Sequence, residues 1–457
     1  MRAPLVSAVP VPASVLRALA ASDPASFPVF LDSAAQGPLA RFSLLAFEPA
    51  ARLARDAQGA LSASGVALER GGFLDNLDAW FRRERRTRES LVPGLPFVGG
   101  WLVYLGYEMA AEVEPRLVLT AARTPFSAIA LRVEHCAIHD LHTGTVHAVS
   151  ENGDAAAHAR LVARLQAAAA AHEPASDAAP LPLAALVEDP PERFLEQVRR
   201  AQELIAAGDI YQANLSRAWR LRLSDTADPR DIYAALRRAN PAPFAASWTA
   251  GLTFHSSSPE RLLRIAGREI STRPIAGTRA RRGDAAQDLR DTAELVSHPK
   301  ERAEHVMLID LERNDLGRVC DAGTVTVDEY MVTESYAHVH HIVSNVRGTL
   351  RADRSPVDAL RALFPGGTIT GCPKIRCMQI IAALEGEGRG PYTGSLGWLG
   401  IDGDADFNIL IRTLSVDGRA VELRAGAGIV ADSIAERELE ETRAKARGLL
   451  RAFGAAP

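Results

Sequence analysis

The chain has 457 residues, 47% of them hydrophobic and 24% charged, with a formal net charge of −4. That is the composition of an ordinary globular protein, and its length fits about two to three domain-sized units. The weak negative charge gives no general reason to expect nucleic acid or an anionic membrane as a partner, and no unbroken apolar run approaches the ~18 residues that span a bilayer.

The first residues, "MRAPLVSAVPVPASVLRALAASDP", do not read as a signal peptide, because Pro4, Pro10 and Pro12 interrupt the apolar stretch. "PFVGGWLVYLGYEMA" (96–110) is strand-like. "SAIALRVEHCAIHDLHTGTVHAV" (127–149) reads as a hairpin around a His-Thr-Gly turn. Between 165 and 194 an Ala-rich helix end gives way to Pro, Ala and Asp without periodicity. Residues 172–190 are therefore expected to be a linker or surface excursion between an N-terminal region, 1–171, and a second region, 191–457.

A well-signalled helix follows. Asp189 and the prolines mark its start, Glu192 and Glu196 suit its first turns, and Phe194, Val198, Ala201 and Ile205 form its apolar stripe, with Gly208 at its end. "LSRAWRLRL" alternates as a strand, and "LLRIAGREIST" (262–272) as a strand pair around a glycine turn. It runs into the arginine-rich "RPIAGTRARR" (273–282). Residues 298–317 and 433–453 have helical periodicity. "GTVTVDEYMVTESY", "GSLGWLGI", "FNILIRTLSV" and "AVELRAGAGIV" read as strands. With no βαβα alternation and no repeat, the fold class is α+β, antiparallel sheets flanked by helices. Cys136, Cys320, Cys372 and Cys377 form no CxxC pair and read as reduced thiols of a cytoplasmic protein.

Two carboxylate pairs carry the first chemical signal. Glu301 and Glu304 share one helix face, and Glu438 and Glu441 share another, with Lys445 four residues on. Two such faces brought together would repel unless a hard cation sat between them, and Mg²⁺ takes oxygen ligands and bridges to anionic substrates. Each pair alone also fits a solvated helix face. Gly366, Gly367, Gly371, Gly426 and Gly428 let backbone N–H groups approach a ligand, or simply make tight turns. "TGCPK" opens a helix whose N-terminal end attracts anions, but the spacing of a P-loop is absent. Of His338, His340 and His341, one is suited to acid–base work, since a zinc site would need further ligands. Arg412 stands in an apolar strand and must find an anion, such as a ligand carboxylate.

The segments "GDIYQANLS", "SSSPERLL", "RPIAGTR", "ERAEHVMLIDLERNDLG", "HVHHIVS", "FPGGTITGCPKIR", "FNILIRTL" and "AGAGIVADSIAERELEETRAKA" occur in one order. That order resembles the chorismate-utilising enzymes, the family of the component I chains of anthranilate synthase and aminodeoxychorismate synthase. The resemblance is strong over about 190–452 and weaker before it. It implies an anthranilate synthase component I-like fold, an antiparallel β-sandwich core flanked by helices. It implies Mg²⁺ on Glu304 and Glu441, supported by Glu301 and Glu438, with chorismate carboxylates held by Arg412, Tyr392, Lys445 and the Gly426–Ala427–Gly428 backbone. Thr278 would lie near the ring, and His341 would assist departure of the 4-hydroxyl.

Gln212 stands where water-using relatives carry a lysine base, so the resemblance implies an aminating member. Its ammonia would come from a separate glutaminase subunit. Ala276 stands where aminodeoxychorismate synthases usually carry lysine and anthranilate synthases alanine. Other segments, among them "FLDSA" in place of the tryptophan-sensing "LLES", lean the opposite way. The favoured expectation is 4-amino-4-deoxychorismate synthesis, with Lys374 as a candidate substitute amine. The alternative is anthranilate synthesis, with tryptophan a candidate ligand of the N-terminal region. A non-catalytic subunit that only binds chorismate or a partner is the third reading.

Overall fold

A computed structural model describes the chain apart from residues 1–2, 36, 38, 88–91, 93, 172–178, 282–283, 285–286, 289, 291–292, 295–296, 298, 336–338 and 456–457. At 276, 278–280, 299–301 and 339 it describes the backbone alone. Two large sheets, antiparallel throughout, hold nearly every strand anticipated above. The first runs in the order Leu5–Val9, Thr145–Ser150, His135–Asp140, Phe42–Phe47, Val29–Asp32, Phe244–Trp248, Thr253–Ser258, Thr413–Asp417, Ala420–Ile429, Gln212–Leu223, Leu183–Glu188. The second runs Ile275–Ala280, Val339–Thr349, Glu269–Arg273, Arg261–Ala266, Ala405–Ile409, Ser395–Gly400, Gly100–Leu105, Phe126–Val133, Ala51–Asp56, Leu61–Ser64. Thr326–Ser335 also pairs with Val339–Thr349.

The apolar runs explain the layering. In "GWLVYL" every residue is buried. Leu102 and Tyr104 face the other sheet, sharing one core with Leu44, Ala46, Trp248 and Phe254. Trp101, Val103 and Leu105 face outward, against Leu77, Trp80 and Phe81 of the helix Phe73–Glu84. Phe42–Phe47 divides likewise: Leu45 and Phe47 pack with Leu16, Leu19, Leu161 and Leu165 of the covering helices Ser14–Ser22 and Ala155–Ala170. Side chains alternate along a strand, so a continuous apolar run is stable only when both faces are covered.

Two expectations change. The stretch 127–149 is split: Phe126–Val133 joins the second sheet, and only His135–Asp140 and Thr145–Ser150 form a hairpin. The expected linker contains an edge strand, Leu183–Glu188, paired to Gln212–Leu223 with Leu186 opposite Leu221. The regions on either side of it are not independent, because Val29–Asp32 pairs with Phe244–Trp248 and Gly100–Leu105 with Ser395–Gly400. Local composition marked the polarity of 172–190, but an edge strand needs one partner only and tolerates exposure. All four cysteines are free thiols. No described helix is long and apolar enough to cross a membrane.

Candidate functional site

"FNILIRTLSV", read as one strand, is two. Ala405–Ile409 ends in the second sheet and Thr413–Asp417 begins in the first, so Leu410–Arg412 is the crossing between sheets. Arg412 turns there with φ +54, a left-handed conformation that disfavours any residue with a Cβ by about 1–3 kcal/mol. Thr393, with φ +62, donates its N–H to the Leu410 carbonyl at 2.8 Å. Two such residues at one crossing fix the direction of the Arg412 side chain and of Tyr392, the neighbour of Thr393. Burial lowers the pKa of the Arg412 guanidinium, while Tyr392, Glu441 and Glu260 lie within its electrostatic reach and oppose that shift.

The strand Ala420–Ile429 supplies the wall. Ala427 and Ile429 face a core around Leu215 and Ile381, so Gly426 and Gly428 face the other side. A Cβ on Gly426 would lie 2.6 Å from the Leu215 carbonyl, 2.7 Å from Asn214 Oδ1 and 2.8 Å from the Tyr392 hydroxyl. A Cβ on Gly428 would lie 2.3 Å from Gln212 Nε2, so the Gln212 amide is laid across this backbone. The Gly426 carbonyl accepts from Lys445 Nζ at 2.9 Å, and Lys445 pairs with Glu441 at 2.6 Å. Glu438, one turn earlier on the helix Ala435–Leu450, is buried. Asn214 Oδ1 is buried with no hydrogen-bond partner among the described residues. The glycines thus form a cradle with an unsatisfied acceptor beside it.

Opposite stands the arginine-rich segment. The strand Ile275–Ala280 pairs with Val339–Thr349, with Ala276 opposite Ile342 and Thr278 opposite His341. The ladder is irregular between Ala276 and Thr278, where Gly277 has φ +62. His341 is buried, and desolvation first and Arg412 second push its pKa down to about 4. The imidazole is therefore neutral at pH 7. His338 lies outside the described residues. The helix Pro299–Gly317 packs against both strands and carries half-buried Glu304, while the Glu301 side chain lies outside the described residues.

Glu260, in the quoted "SSSPERLL", was given no role by the sequence reading. It is 4% exposed and accepts the Ile275 N–H at 3.4 Å, with the Thr368 hydroxyl beside it. Burial raises its pKa to about 7, so it holds a proton where an ordinary glutamate does not. Glu260 and His341, both near Arg412, are thus driven to opposite protonation habits, the separation that lets one site run acid and base chemistry. Arg389 was also missed. It pairs with buried Glu385 at 2.6 Å, donates to the Asn214 carbonyl at 2.7 Å and stacks 5.6 Å from the Tyr392 ring. The i, i+4 spacing of Glu385 and Arg389, just before Tyr392, was the available signal.

Lys374 does not join this site. Its ammonium is paired with buried Asp315 and donates to the Leu363 carbonyl at 3.3 Å. A nucleophilic amine must be free, and this one is held by a buried carboxyl and a backbone carbonyl. In the N-terminal region, Asp32 of "FLDSA" accepts from Tyr233 at 2.8 Å, Arg237 at 2.6 Å and Ser43 at 3.0 Å.

For a divalent metal, the donor chemistry fits: Glu304, Glu438 and Glu441 offer hard carboxylate oxygens, the last two one turn apart on the helix Ala435–Leu450. Among the described residues no group of three His, Cys, Asp or Glu forms a ready-made cluster.

Residues 28–451 match the profile of a family described as chorismate binding enzyme. Anthranilate synthase component 1 of Thermus thermophilus is 40% identical over 460 residues, covering 96% of this chain and 95% of the relative. Aminodeoxychorismate synthase component 1 of Bacillus subtilis is 47% identical over 261 residues, covering 57% of this chain and 55% of the relative. The crystal structure of anthranilate synthase component I from Streptococcus pneumoniae matches with a TM-score of 0.79 and 31% identity, over 91% of this chain and 93% of that one.

Proposed function

The chain belongs to the chorismate binding enzyme family, and from that premise we propose that it aminates chorismate at C2 with ammonia, releasing anthranilate, pyruvate and water. This reverses the preference for C4 drawn from the sequence segments. One observation carries the choice: none of the lysines considered for the site offers a free amine. Position 276 is alanine, Lys374 is tied to Asp315, and Lys445 is tied to Gly426 and Glu441. With no free amine among the described lysine side chains to take C2 first, ammonia has that carbon open to it. The Thermus thermophilus relative, matched over nearly its whole length, bears the anthranilate synthase name.

In this reading Arg412, Tyr392 and Lys445 hold the substrate carboxylates against the Gly426–Gly428 backbone. Gln212 cannot deprotonate water, so the nucleophile is ammonia, supplied by a separate glutaminase subunit. Glu260, whose burial keeps an acid fraction at neutral pH, gives its proton to the departing 4-hydroxyl, which leaves as water. Neutral His341 orients that hydroxyl. Mg²⁺, which Glu304 and Glu441 would bind with support from Glu301 and Glu438, supplies charge neutralisation to a substrate carboxylate.

The second reading, 4-amino-4-deoxychorismate synthesis, is favoured by the 47% identity to the Bacillus subtilis relative and by "FLDSA". Pure protein with chorismate, an ammonium salt and Mg²⁺ separates the two. Fluorescent anthranilate without any lyase is expected. Product that becomes 4-aminobenzoate only after addition of the lyase refutes C2 amination.

A further inference from the structure

Behind Glu260 lies a second buried carboxyl that the reaction as written does not use. Glu312, on the helix Pro299–Gly317, is 3% exposed. Its Oε2 accepts from the Thr272 hydroxyl at 3.0 Å, and it also accepts the N–H of Gly367. Gly367 opens the short turn Gly367–Ile369, and the next residue, Thr368, faces Glu260. Thr272 lies three residues before Ile275, whose N–H reaches Glu260. The two carboxyls are therefore held by the same two backbone segments, 272–275 and 367–368, within electrostatic reach of each other. A Cβ on Gly367 would stand 3.2 Å from Glu312 Oε1 and 2.6 Å from Leu311 Cδ2, so the turn is pressed onto Glu312.

We propose that Glu312 is a positioning residue for the reaction, a second carboxyl that keeps Glu260 in its acid form between turnovers. This rests on the reading of Glu260 as the proton donor. Two buried carboxyls within electrostatic reach of each other do not both ionise readily, so the pair retains a proton where one alone would release it. The groups facing Glu260 are Glu312, the Thr368 hydroxyl, the Ile275 N–H and the Arg412 guanidinium. Those facing Glu312 are Asp315, Lys374, the Thr272 hydroxyl and the Gly367 N–H. Arg412 and Lys374 favour ionisation at the two ends, and the carboxylates oppose it. Burial raises Glu312, like Glu260, to about 7. No substrate group needs to touch Glu312 for this role.

The test is the pH dependence of kcat/KM for wild type, Glu312→Gln and Glu260→Gln, measured from pH 5.5 to 9 at saturating Mg²⁺. Glutamine keeps an oxygen for Thr272 but cannot carry negative charge. Glu260 then titrates without its like-charged neighbour, and the alkaline limb moves to lower pH. A one-unit move from about 7 lowers the ratio of activity at pH 9 to activity at pH 6 about fivefold, with KM for chorismate at pH 6 little changed. A folded Glu312→Gln protein whose limb stays where wild type has it overturns the proposal. Should Glu260→Gln itself keep wild-type turnover and its alkaline limb, the proton-donor reading falls instead. Infrared titration of the protonated-carboxyl stretch stands in if Glu312→Gln does not fold. Wild type should show one protonated-carboxyl step more than Glu260→Gln, and the Glu312 step that remains in Glu260→Gln should lie at lower pH. Independent titration in wild type overturns the pairing.

Discussion

Gly426→Ala and Gly428→Ala form a contrasted pair on one strand. At Gly426 the added methyl would meet the Leu215 carbonyl at 2.6 Å, a backbone atom of the neighbouring strand in a ladder that pairs Gly426 with Ser216. That oxygen cannot swing away, so the strands must part or the site must shift. Overpacking of this kind costs about 1–3 kcal/mol. The same shift disturbs Tyr392, whose hydroxyl would be 2.8 Å from the methyl, and the 2.9 Å bond from Lys445 to the Gly426 carbonyl, a further loss of about 1 kcal/mol. At Gly428 the three nearest atoms all belong to Gln212, with Nε2 at 2.3 Å, the far end of a side chain that can rotate. Gly426→Ala is therefore expected to lower kcat/KM at least tenfold, since about 1.4 kcal/mol is one decade, and to lower Tm by a few degrees. Gly428→Ala should fold with wild-type Tm and lose activity only through Gln212. Steady-state kinetics with ammonium as donor, beside calorimetry of both variants, makes the comparison. Wild-type kinetics and Tm in Gly426→Ala would show that the strand does not form the wall of the site.

Glu260→Gln should abolish most turnover. In wild type the activity should be present below pH 7 and fall as pH rises through the Glu260 value of about 7, because a raised carboxyl pKa means the acid form is lost on the alkaline side; a kcat/KM that climbs through pH 8 contradicts this. Glu438→Gln should raise the Mg²⁺ concentration needed for half-maximal rate about tenfold or more, read from a metal titration at fixed chorismate, and an unchanged titration removes Glu438 from the metal site. Lys374→Arg keeps the charge opposite Asp315 but no longer offers a primary amine. Its turnover should stay within about threefold of wild type, a change of less than 1 kcal/mol in barrier, whereas a loss of a hundredfold would make Lys374 a covalent participant.

Much of the architecture was legible because period and punctuation agree with it. The helix Pro191–Ala206 starts at its prolines and buries Phe194, Val198 and Ala201 as its stripe foretold. The helix Lys374–Glu385 stops at Gly386, which takes the left-handed conformation that a helix end favours. Where the reading failed, the deciding contact was remote in sequence. Nothing local in "FNILIRTLSV" shows that the chain changes sheets at Arg412, because both halves are apolar and either would pair. Nothing local in 183–188 shows that Gln212–Leu223 lies alongside. The site divides in the same way. Arg412, Tyr392, Lys445 and the glycines carry motif signals; Arg412 stands at the crossing, and Tyr392 and Lys445 both lie against Gly426. Glu260 is one glutamate among many in the sequence, and its chemistry comes wholly from its surroundings: burial removes it from water, and Arg412 and Glu312 lie within its electrostatic reach. The same surroundings separate two histidines that the sequence placed side by side. His340 donates to or accepts from Ser335 at 2.7 Å, while His341 lies beside Arg412 and is held neutral. Residue type fixes which chemistry is available to a side chain, and burial against particular neighbours decides which protonation state it presents. In this molecule that decision is made at the seam between the two sheets, where both sheets, the helix Pro299–Gly317 and the turn Gly367–Ile369 close around one arginine and two carboxyls.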